Sequence, residues 1–255
     1  MTDVAYTTPS IPSITSSSST LPINYSIVIP FYNEGENVEA VLYETRLSNP
    51  GAEIIAVNDG SLDLTEEKIK RFEDVRLLSF PSNLGQSAAL FAGLQAATHT
   101  VCVLMDGDGQ NDPADIPHLI EQSAFYDVVC GFRKNRKDSW QVKIASKIAN
   151  CVRKWFTGDS VKDAGCTLKV IRKDHFPYLI PFNEMQCYMI AMLEHAGLSL
   201  GQFPVNHRAR QFGTSNYTIS RRAWRGIWDL LGMKWILRRQ IRWSAEVIAA
   251  HLLQK

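Results

Sequence analysis

The sequence lacks most features that assign a chain at once to a specialised class of protein. It has no uninterrupted apolar run of about 18 residues, so a helix that spans a bilayer is not expected. Its five cysteines show no CxxC spacing and lie mostly in apolar runs, which favours reduced, buried thiols over disulfides or a zinc site. The net charge of +1 points to no nucleic-acid partner, because any basic surface must be local. These absences leave an ordinary globular chain.

Glycine-rich phosphate-binding motifs are also absent. Neither GxGxxG nor GxxxxGK[ST] occurs, so a backbone cradle for phosphate is not expected. This disfavours dinucleotide oxidoreductases and P-loop kinases. A phosphorylated ligand would need a cation in place of the cradle.

Short apolar runs alternate with helical patterns along most of the chain. We predict strands at 25–30, 53–57, 75–80, 100–105, 127–131 and 198–206, and helices at 38–48, 64–73, 84–98 and 113–123. A basic segment from about 131 to 175 is predicted to be helical. This alternation predicts an α/β fold, with a mostly parallel central sheet and helices on both faces.

Three polar clusters follow predicted strands: Tyr32–Glu34, Asn58–Ser61 and Asp106–Asp112. Asp106 and Asp108 are two residues apart at a strand end, so both carboxylates can approach one hard cation. Alone, such a triplet more often indicates a solvated Asp-Gly turn, because Asp-x-Asp is common in loops. Because parallel strands present their carboxyl ends at one edge, the three clusters together predict a rim for a ligand with ribose hydroxyls, base N–H groups and a metal-bound diphosphate.

The ordered motifs resemble those of family 2 glycosyltransferases of the GT-A fold. The resemblance rests on residues 29–37, 58–63, 83–85 and 106–113. Through residues 131–133, 163–166 and 210–217, the chain is similar to polyprenyl-phosphate (dolichol-phosphate) mannosyltransferase-type synthases. The resemblance covers about residues 25 to 240. It implies inverting transfer of a hexosyl group from a GDP- or UDP-linked sugar to a polyprenyl phosphate.

The same resemblance implies the residues of the site. The nucleotide would lie among Pro30, Tyr32, Glu34, Asp59 and Asp106. The cofactor, Mg²⁺ or Mn²⁺, would be held by Asp106, Asp108 and Gln110, with Arg210 on the donor diphosphate. Asp108, Arg133 and Arg210 are therefore the predicted catalytic residues.

The acceptor side is predicted from residues near the proposed metal. Arg133 follows a strand end, so we expect it to contact the acceptor phosphate. Asp163 is either an acceptor-side carboxylate or a turn acid, and Ser215 belongs to a loop whose glycine and hydroxyls suit a lid over phosphate. An acceptor glycan or glycolipid would instead need a general base, for which Asp163 or Asp112 are the candidates.

Three departures from the related synthases remove charge from the site. The second strand ends in Asn58-Asp59 where many relatives have two acids, Asn216 stands where a lysine is expected, and residues 183–187 lack an expected His-Arg pair. Besides transfer to a polyprenyl phosphate and transfer to a glycan or glycolipid, a third alternative is a non-catalytic nucleotide-sugar or membrane-binding scaffold. The loss of cations favours this alternative.

We divide the chain into a disordered tail (1–22), a glycosyltransferase domain (23–218) and amphipathic helices (219–255). The tail is rich in Ser, Thr and Pro. The last segment combines arginines with four tryptophans, a pattern typical of helices at a membrane interface. These helices could otherwise dock on the sheet or pair two subunits of a homo-oligomer. We expect a protein on the cytoplasmic face of the membrane, at its surface.

Overall fold

Seven strands form one sheet in the computed structural model, which describes residues 24–134, 150–210, 212 and 219–239. The strands are β1 (Tyr25–Phe31), β2 (Glu53–Asn58), β3 (Val75–Ser79), β4 (Val101–Leu104), β5 (Val128–Arg133), β6 (Lys169–Arg172) and β7 (Leu200–Val205). The helices are α1 (Val38–Ser48), α2 (Thr65–Ile69), α3 (Gln86–Ala96), α4 (Ile116–Gln122), α5 (residues 150–157), α6 (Met185–His195) and α7 (Ile219–Leu237). Short 3-10 turns lie at Pro113–Asp115 and Lys173–Tyr178.

The strand order is β3-β2-β1-β4-β6-β5-β7. Every neighbouring pair is parallel except those of β6, which runs antiparallel to β4 and β5. The predicted mostly parallel sheet is confirmed. The prediction of a helical segment through residue 175 is wrong at β6. This interior strand has only two apolar residues, Val170 and Ile171, between Lys169 and Arg172, so it lacks the apolar run that predicts a buried strand.

The sheet has an apolar layer on each face, because strand side chains alternate in direction. From β1, Val28 belongs to the layer that includes α3 and α6, whereas Ile27 and Ile29 belong to the layer that includes α1 and α4. On α3, Gly93 allows close packing, since a Cβ there would lie 2.2 Å from Val28 Cγ1. These layers fix the strand ends that carry the polar loops.

Helix α7 has two apolar faces. Met233 and Leu237 are buried in the layer that includes α6, whereas Leu231 and Trp235 are exposed. Among the described residues, none of the helices has both the length and the apolar character needed to cross a bilayer. The tail predicted at 1–22 and the residues after 239 lie outside the described part of the chain.

Candidate active site

A cavity of about 350 Å³ lies at the carboxyl ends of β1, β2 and β4. All three polar clusters predicted to meet at this edge contribute to its wall. The residues that line it are Pro30, Phe31, Tyr32, Glu34, Asp59, Asn83, Gly85, Gln86, Asp106, Gly107, Asp108 and Arg210. Seven residues predicted for the site, from Pro30 to Arg210, therefore share one cavity, whereas Gln110, Arg133 and Asp163 do not line it.

Glu34 joins the loop after β1 to the far wall of the cavity. Its main-chain oxygen accepts hydrogen bonds from the N–H groups of Asn37 and Val38 as α1 begins. Its side chain accepts from Asn37 Nδ2 at 2.5 Å and from Arg210 Nη2 at 3.2 Å. Burial raises the pKa of Glu34 above its usual value, although Asn37 and Arg210 oppose the shift. The carboxylate is thus held in place by groups from two sides.

Asp59 supports the neighbouring loop as well as lining the cavity. Its Oδ1 accepts from the N–H of Leu84 at 2.7 Å, and its Oδ2 accepts from the N–H of Gly85 and from Asn83 Nδ2, each at 2.9 Å. A carboxylate has about four acceptor positions. Asp59 therefore fixes the 83–85 loop and retains capacity for a ligand donor.

Gly107, between Asp106 and Asp108, allows the loop after β4 to lie against the end of β1. A Cβ on Gly107 would lie 2.6 Å from the main-chain oxygen of Pro30. The Asp106 N–H donates to Asn111 Oδ1 at 3.0 Å, and the Gln110 N–H donates to Asp108 Oδ1 at 3.0 Å. These bonds close the loop after β4 on itself.

Burial, together with the adjacent charge of Asp108, raises the pKa of Asp106 to about 6. A hydrogen bond from the Thr167 hydroxyl, at 2.5 Å, and the nearby charges of Lys169 and Arg133 oppose the shift. Two carboxylates that share a poorly solvated position favour a cation between them.

The residues present fit a divalent cation that is shared with a phosphorylated ligand. No group of three or more His, Cys, Asp and Glu side chains suited to a metal occurs within the described residues. Mg²⁺ is commonly held by one or two carboxylates together with phosphate oxygens and water. Asp106 and Asp108 match that donor set. The metal role of Gln110 stays a prediction, because the bonds found for this residue involve its main chain.

A segment after β7 brings Arg210 to the carboxylates. Residue His207 forms a bridge with Asn111, and the Arg208 N–H donates to the oxygen of Gln110 at 2.9 Å. The Arg208 guanidinium pairs with Glu44 and with Asp112, the latter at 2.9 Å. These contacts of His207 and Arg208 hold the segment against the loop after β4, and Arg210 Nη2 lies 3.0 Å from Asp108 Oδ2. Arg210 thus faces the two carboxylates, and its contact with the donor diphosphate, which the resemblance implies, stays a prediction.

Arg133 and Asp163, which are both predicted for the acceptor side, form a two-point ion pair. Arg133 Nε lies 2.7 Å from Asp163 Oδ2, and Nη2 lies 2.8 Å from Oδ1. Gly165 permits this pair, since a Cβ there would lie 2.9 Å from the guanidinium. The pair is mostly buried beside the cavity, close enough for Arg133 to influence Asp106. Ser215 and Asn216 lie outside the described residues.

Two polar residues in the site were missed from the sequence. Gln86 donates to Asp106 Oδ1 at 2.6 Å, and Thr167 donates to Oδ2. Gln86 directly follows the motif 83–85, and Thr167 directly follows the motif 163–166. Their position next to the motifs was the available signal.

Residues 26–177 match the family model described as Glycosyl transferase family 2. The chain is 34% identical over 234 residues to dodecaprenyl-phosphate galacturonate synthase of Rhizobium johnstonii, covering 86% of this chain and 69% of that protein. It is 36% identical over 206 residues to undecaprenyl-phosphate 4-deoxy-4-formamido-L-arabinose transferase of Pectobacterium carotovorum, covering 77% of this chain and 63% of that protein. The chain thus spans about two thirds of each relative.

The fold is similar to that of glucosyl-3-phosphoglycerate synthase from Mycobacterium tuberculosis. The complex of that enzyme with UDP gives a TM-score of 0.64 at 19% identity, covering 84% of this chain and 80% of that one. Its complex with Mn²⁺, UDP and glucosyl-3-phosphoglycerate gives a TM-score of 0.63 at 18% identity, with the same coverage. At this identity the likeness establishes the arrangement of the sheet and helices.

Proposed function

The chain belongs to glycosyltransferase family 2, and from that membership we propose that it moves a hexosyl group from a GDP- or UDP-linked sugar to a polyprenyl phosphate, with inversion at the anomeric carbon. The observation that carries the proposal is the cavity in which Asp59, Asp106, Asp108 and Arg210 meet. The names of the two bacterial relatives support a polyprenyl-phosphate acceptor.

In this proposal, the donor nucleotide lies along Pro30, Tyr32, Glu34 and Asp59. Asp106 and Asp108 hold Mg²⁺ or Mn²⁺, which would stabilise the negative charge that develops on the departing nucleoside diphosphate. Arg210 leaves Asp108 and Glu34 to donate to the same phosphate oxygens. Complexes of the structurally similar synthase from Mycobacterium tuberculosis contain UDP with Mn²⁺ or with Mg²⁺, which supports this choice of cofactor.

An acceptor phosphate suits the residues beside the cavity better than a hydroxyl does. A polyprenyl phosphate is ionised near neutral pH, so its oxygen can attack without a general base. The candidate bases are both engaged: Asp163 pairs with Arg133, and Asp112 pairs with Arg208 and accepts from the Ala114 N–H. Arg133 would orient the acceptor phosphate by sharing its guanidinium between that phosphate and Asp163.

We propose further that α7 places the enzyme at the cytoplasmic membrane surface, as the start of the interfacial segment 219–255. Its face formed by Ile227, Trp228, Leu231 and Trp235 is exposed, and Trp155 of α5 is 73% exposed beside it. Lys234 Nζ lies 4.8 Å from the centre of the Trp155 ring. Exposed tryptophans next to lysine suit the boundary between headgroups and acyl chains. The opposite face of α7 packs on the domain. Docking of α7 on the domain is therefore compatible with contact between its exposed face and the membrane.

A transfer assay tests the function. The full chain is incubated with a panel of UDP- and GDP-linked sugars and a short polyprenyl phosphate, with Mn²⁺ or with EDTA, and lipid-linked sugar is measured by mass spectrometry. We expect one donor to give a glycosylated lipid only with the cation. Product in EDTA would contradict the metal role, and transfer to a glycan but not to the lipid phosphate would contradict the acceptor.

Sedimentation with anionic liposomes tests the membrane surface. The variant Leu231→Ser/Trp235→Ser should lose most of the binding that the wild type shows. The matched control is Tyr43→Ser/Leu47→Ser, which removes an exposed aromatic and a leucine with the same spacing from α1. Equal binding by both variants would contradict the assignment, and a change in oligomeric state with unchanged liposome binding would favour subunit pairing.

A further inference from the structure

A line of neutral hydrogen-bonding groups connects α6 to the carboxylate of Asp106. The hydroxyl of Ser87 donates to Gln186 Oε1, Gln186 Nε2 donates to Gln86 Oε1 at 3.3 Å, and Gln86 Nε2 donates to Asp106 Oδ1 at 2.6 Å. Gln186 is 9% exposed and lies in the first turn of α6, whereas Gln86 begins α3 and lines the cavity. Only Gln86 and Asp106 of this line reach the cavity itself.

The chemistry of the two ends determines how both amides are turned. An ionised carboxylate only accepts hydrogen bonds, so Gln86 must present its NH₂ group to Asp106. Its oxygen then points away and accepts from the NH₂ group of Gln186. The NH₂ group of Gln186 also donates to Glu184 Oε2 at 3.4 Å, and the oxygen of Gln186 accepts from the Ser87 hydroxyl. Reversing either amide would place two acceptors against each other.

This arrangement fixes Asp106 without neutralising it. Gln86 holds Oδ1, and on the other side the hydroxyl of Thr167 holds Oδ2. A cation in place of Gln86 or Gln186 would compete with a metal ion for the same carboxylate. Gln186 lies in the segment 183–187, in which a His-Arg pair was expected. The two amides leave the negative charge of Asp106 available.

We propose that Gln186 is a positioning residue for Asp106 and acts through the amide of Gln86. This inference rests on the proposed metal role of Asp106 and Asp108. Side chains that orient metal ligands typically contribute between 10-fold and 100-fold to metal affinity. Loss of Gln186 should therefore weaken the metal site although Gln186 does not touch the cavity.

The test measures binding of Mn²⁺ in the presence of UDP and, separately, GDP, by the loss of the free Mn²⁺ signal in electron paramagnetic resonance. Gln186→Leu should weaken Mn²⁺ binding about tenfold. The control is Gln202→Leu on β7, whose side chain makes hydrogen bonds with Ser160 and Lys162 outside the cavity. Gln202→Leu should leave the Mn²⁺ affinity unchanged.

A double-mutant comparison separates positioning from general loss of structure. In a Gln86→Met background, Gln186→Leu should have no further effect on Mn²⁺ affinity, because its path to Asp106 is already removed. Additive losses would overturn the proposal. If Gln186→Leu does not fold, as judged by its melting transition, Ser87→Ala removes the donor at the far end and should weaken Mn²⁺ binding in the same direction by a smaller factor.

The outcomes also distinguish this inference from the proposed function. Normal Mn²⁺ affinity in Gln186→Leu and Ser87→Ala, with Mn²⁺ binding by the wild type, would overturn the positioning role alone. Absence of nucleotide-dependent Mn²⁺ binding in the wild type would overturn the metal role of Asp106, and the positioning role with it.

Discussion

Acidic side chains have different partners in the two halves of the sheet. We name the half around β1 to β4 the donor half and the half around β5 to β7 the acceptor half, after their proposed roles. In the donor half, formed around β1 to β4, Asp59 and Asp63 accept hydrogen bonds mainly from main-chain N–H groups and neutral side chains. In the acceptor half, Asp163 and Asp159 are buried beside arginines, Arg133 and Arg153 respectively. The cavity of the donor half is lined by four acids and one arginine, which leaves net negative charge for the proposed cation. The acceptor half supplies cations that are already paired, so an incoming phosphate must share them.

Removing charge from the donor half should have the largest effect. Asp108→Asn keeps the shape of the side chain but removes a metal-binding charge, and we expect transfer to fall about a thousandfold, within the range for lost transition-state electrostatics. The control Asp74→Asn removes an exposed acid paired with Arg46. The Mn²⁺-dependent transfer assay measures both rates. Similar transfer rates for Asp108→Asn and Asp74→Asn would contradict a special role for the charge of Asp108.

Changing the acceptor half should affect the lipid substrate selectively. Arg133→Gln removes a charged donor, and we expect the KM for polyprenyl phosphate to rise about 10-fold to 100-fold, as for loss of a hydrogen bond to a charged group. The KM for the donor should change little, because Arg133 does not line the donor cavity. Steady-state kinetics with each substrate varied in turn measures both. An increase confined to the donor KM would reverse the assignment.

Packing also differs between the two regions. On α3, Gly93→Ala should destabilise the protein by about 1–3 kcal/mol, since the added Cβ would overlap Val28. On α7, Gly232→Ala meets nothing within 4 Å and should stabilise the protein by up to about 1 kcal/mol through helix propensity. Urea unfolding followed by circular dichroism measures both. Equal signs for the two changes would contradict the tight packing of the donor half.

The smallest effect concerns the pH dependence of stability in the donor half. Burial of Asp63 acts to raise its pKa, but hydrogen bonds from Thr65 and from the N–H of Gly35 outweigh it and lower the pKa below the usual value. A lowered pKa contributes stability above the usual carboxyl range, and this contribution is lost as the pH falls through it. Because Asp63 is exposed, solvent screens its charge, and Asp63→Asn should cost less than about 1 kcal/mol at pH 7 and progressively less towards pH 3.

Urea unfolding at several pH values measures this change. A difference between Asp63→Asn and the wild type that stays constant from pH 7 to pH 3 would show that the charge of Asp63 contributes nothing. The exposed pair of Asp74 and Arg46 offers the matched control, because Asp74→Asn should change stability less at neutral pH.

The same contrast explains what could be predicted from the sequence. In the donor half, strands and helices follow one another locally, and the predicted bounds of α1 and the starts of β1, β2 and β3 agree with the structure. The clusters that line the cavity were predictable because parallel strands end at one edge. The chemical roles of these residues stay predictions.

The acceptor half was less predictable because its order depends on contacts between distant segments. Strand β6 pairs antiparallel with β4 and β5, which lie far from it in the chain. Helix α6 is buried on almost all sides, so it lacks the amphipathic period that would reveal it. The contacts of Gln86 with Gln186 and of Asp106 with Thr167 join residues 100 and 61 positions apart, and no local pattern encodes such pairs.

The most direct test of the central claim is a titration of Mn²⁺ into the full chain with and without UDP or GDP, followed by electron paramagnetic resonance. The account predicts that one of the two nucleotides strengthens Mn²⁺ binding and that Asp108→Asn abolishes this effect, because the two carboxylates and the diphosphate hold the cation together. The account would be contradicted if neither nucleotide strengthens Mn²⁺ binding, or if the nucleotide strengthens Mn²⁺ binding as much in the Asp108→Asn variant as in the wild type.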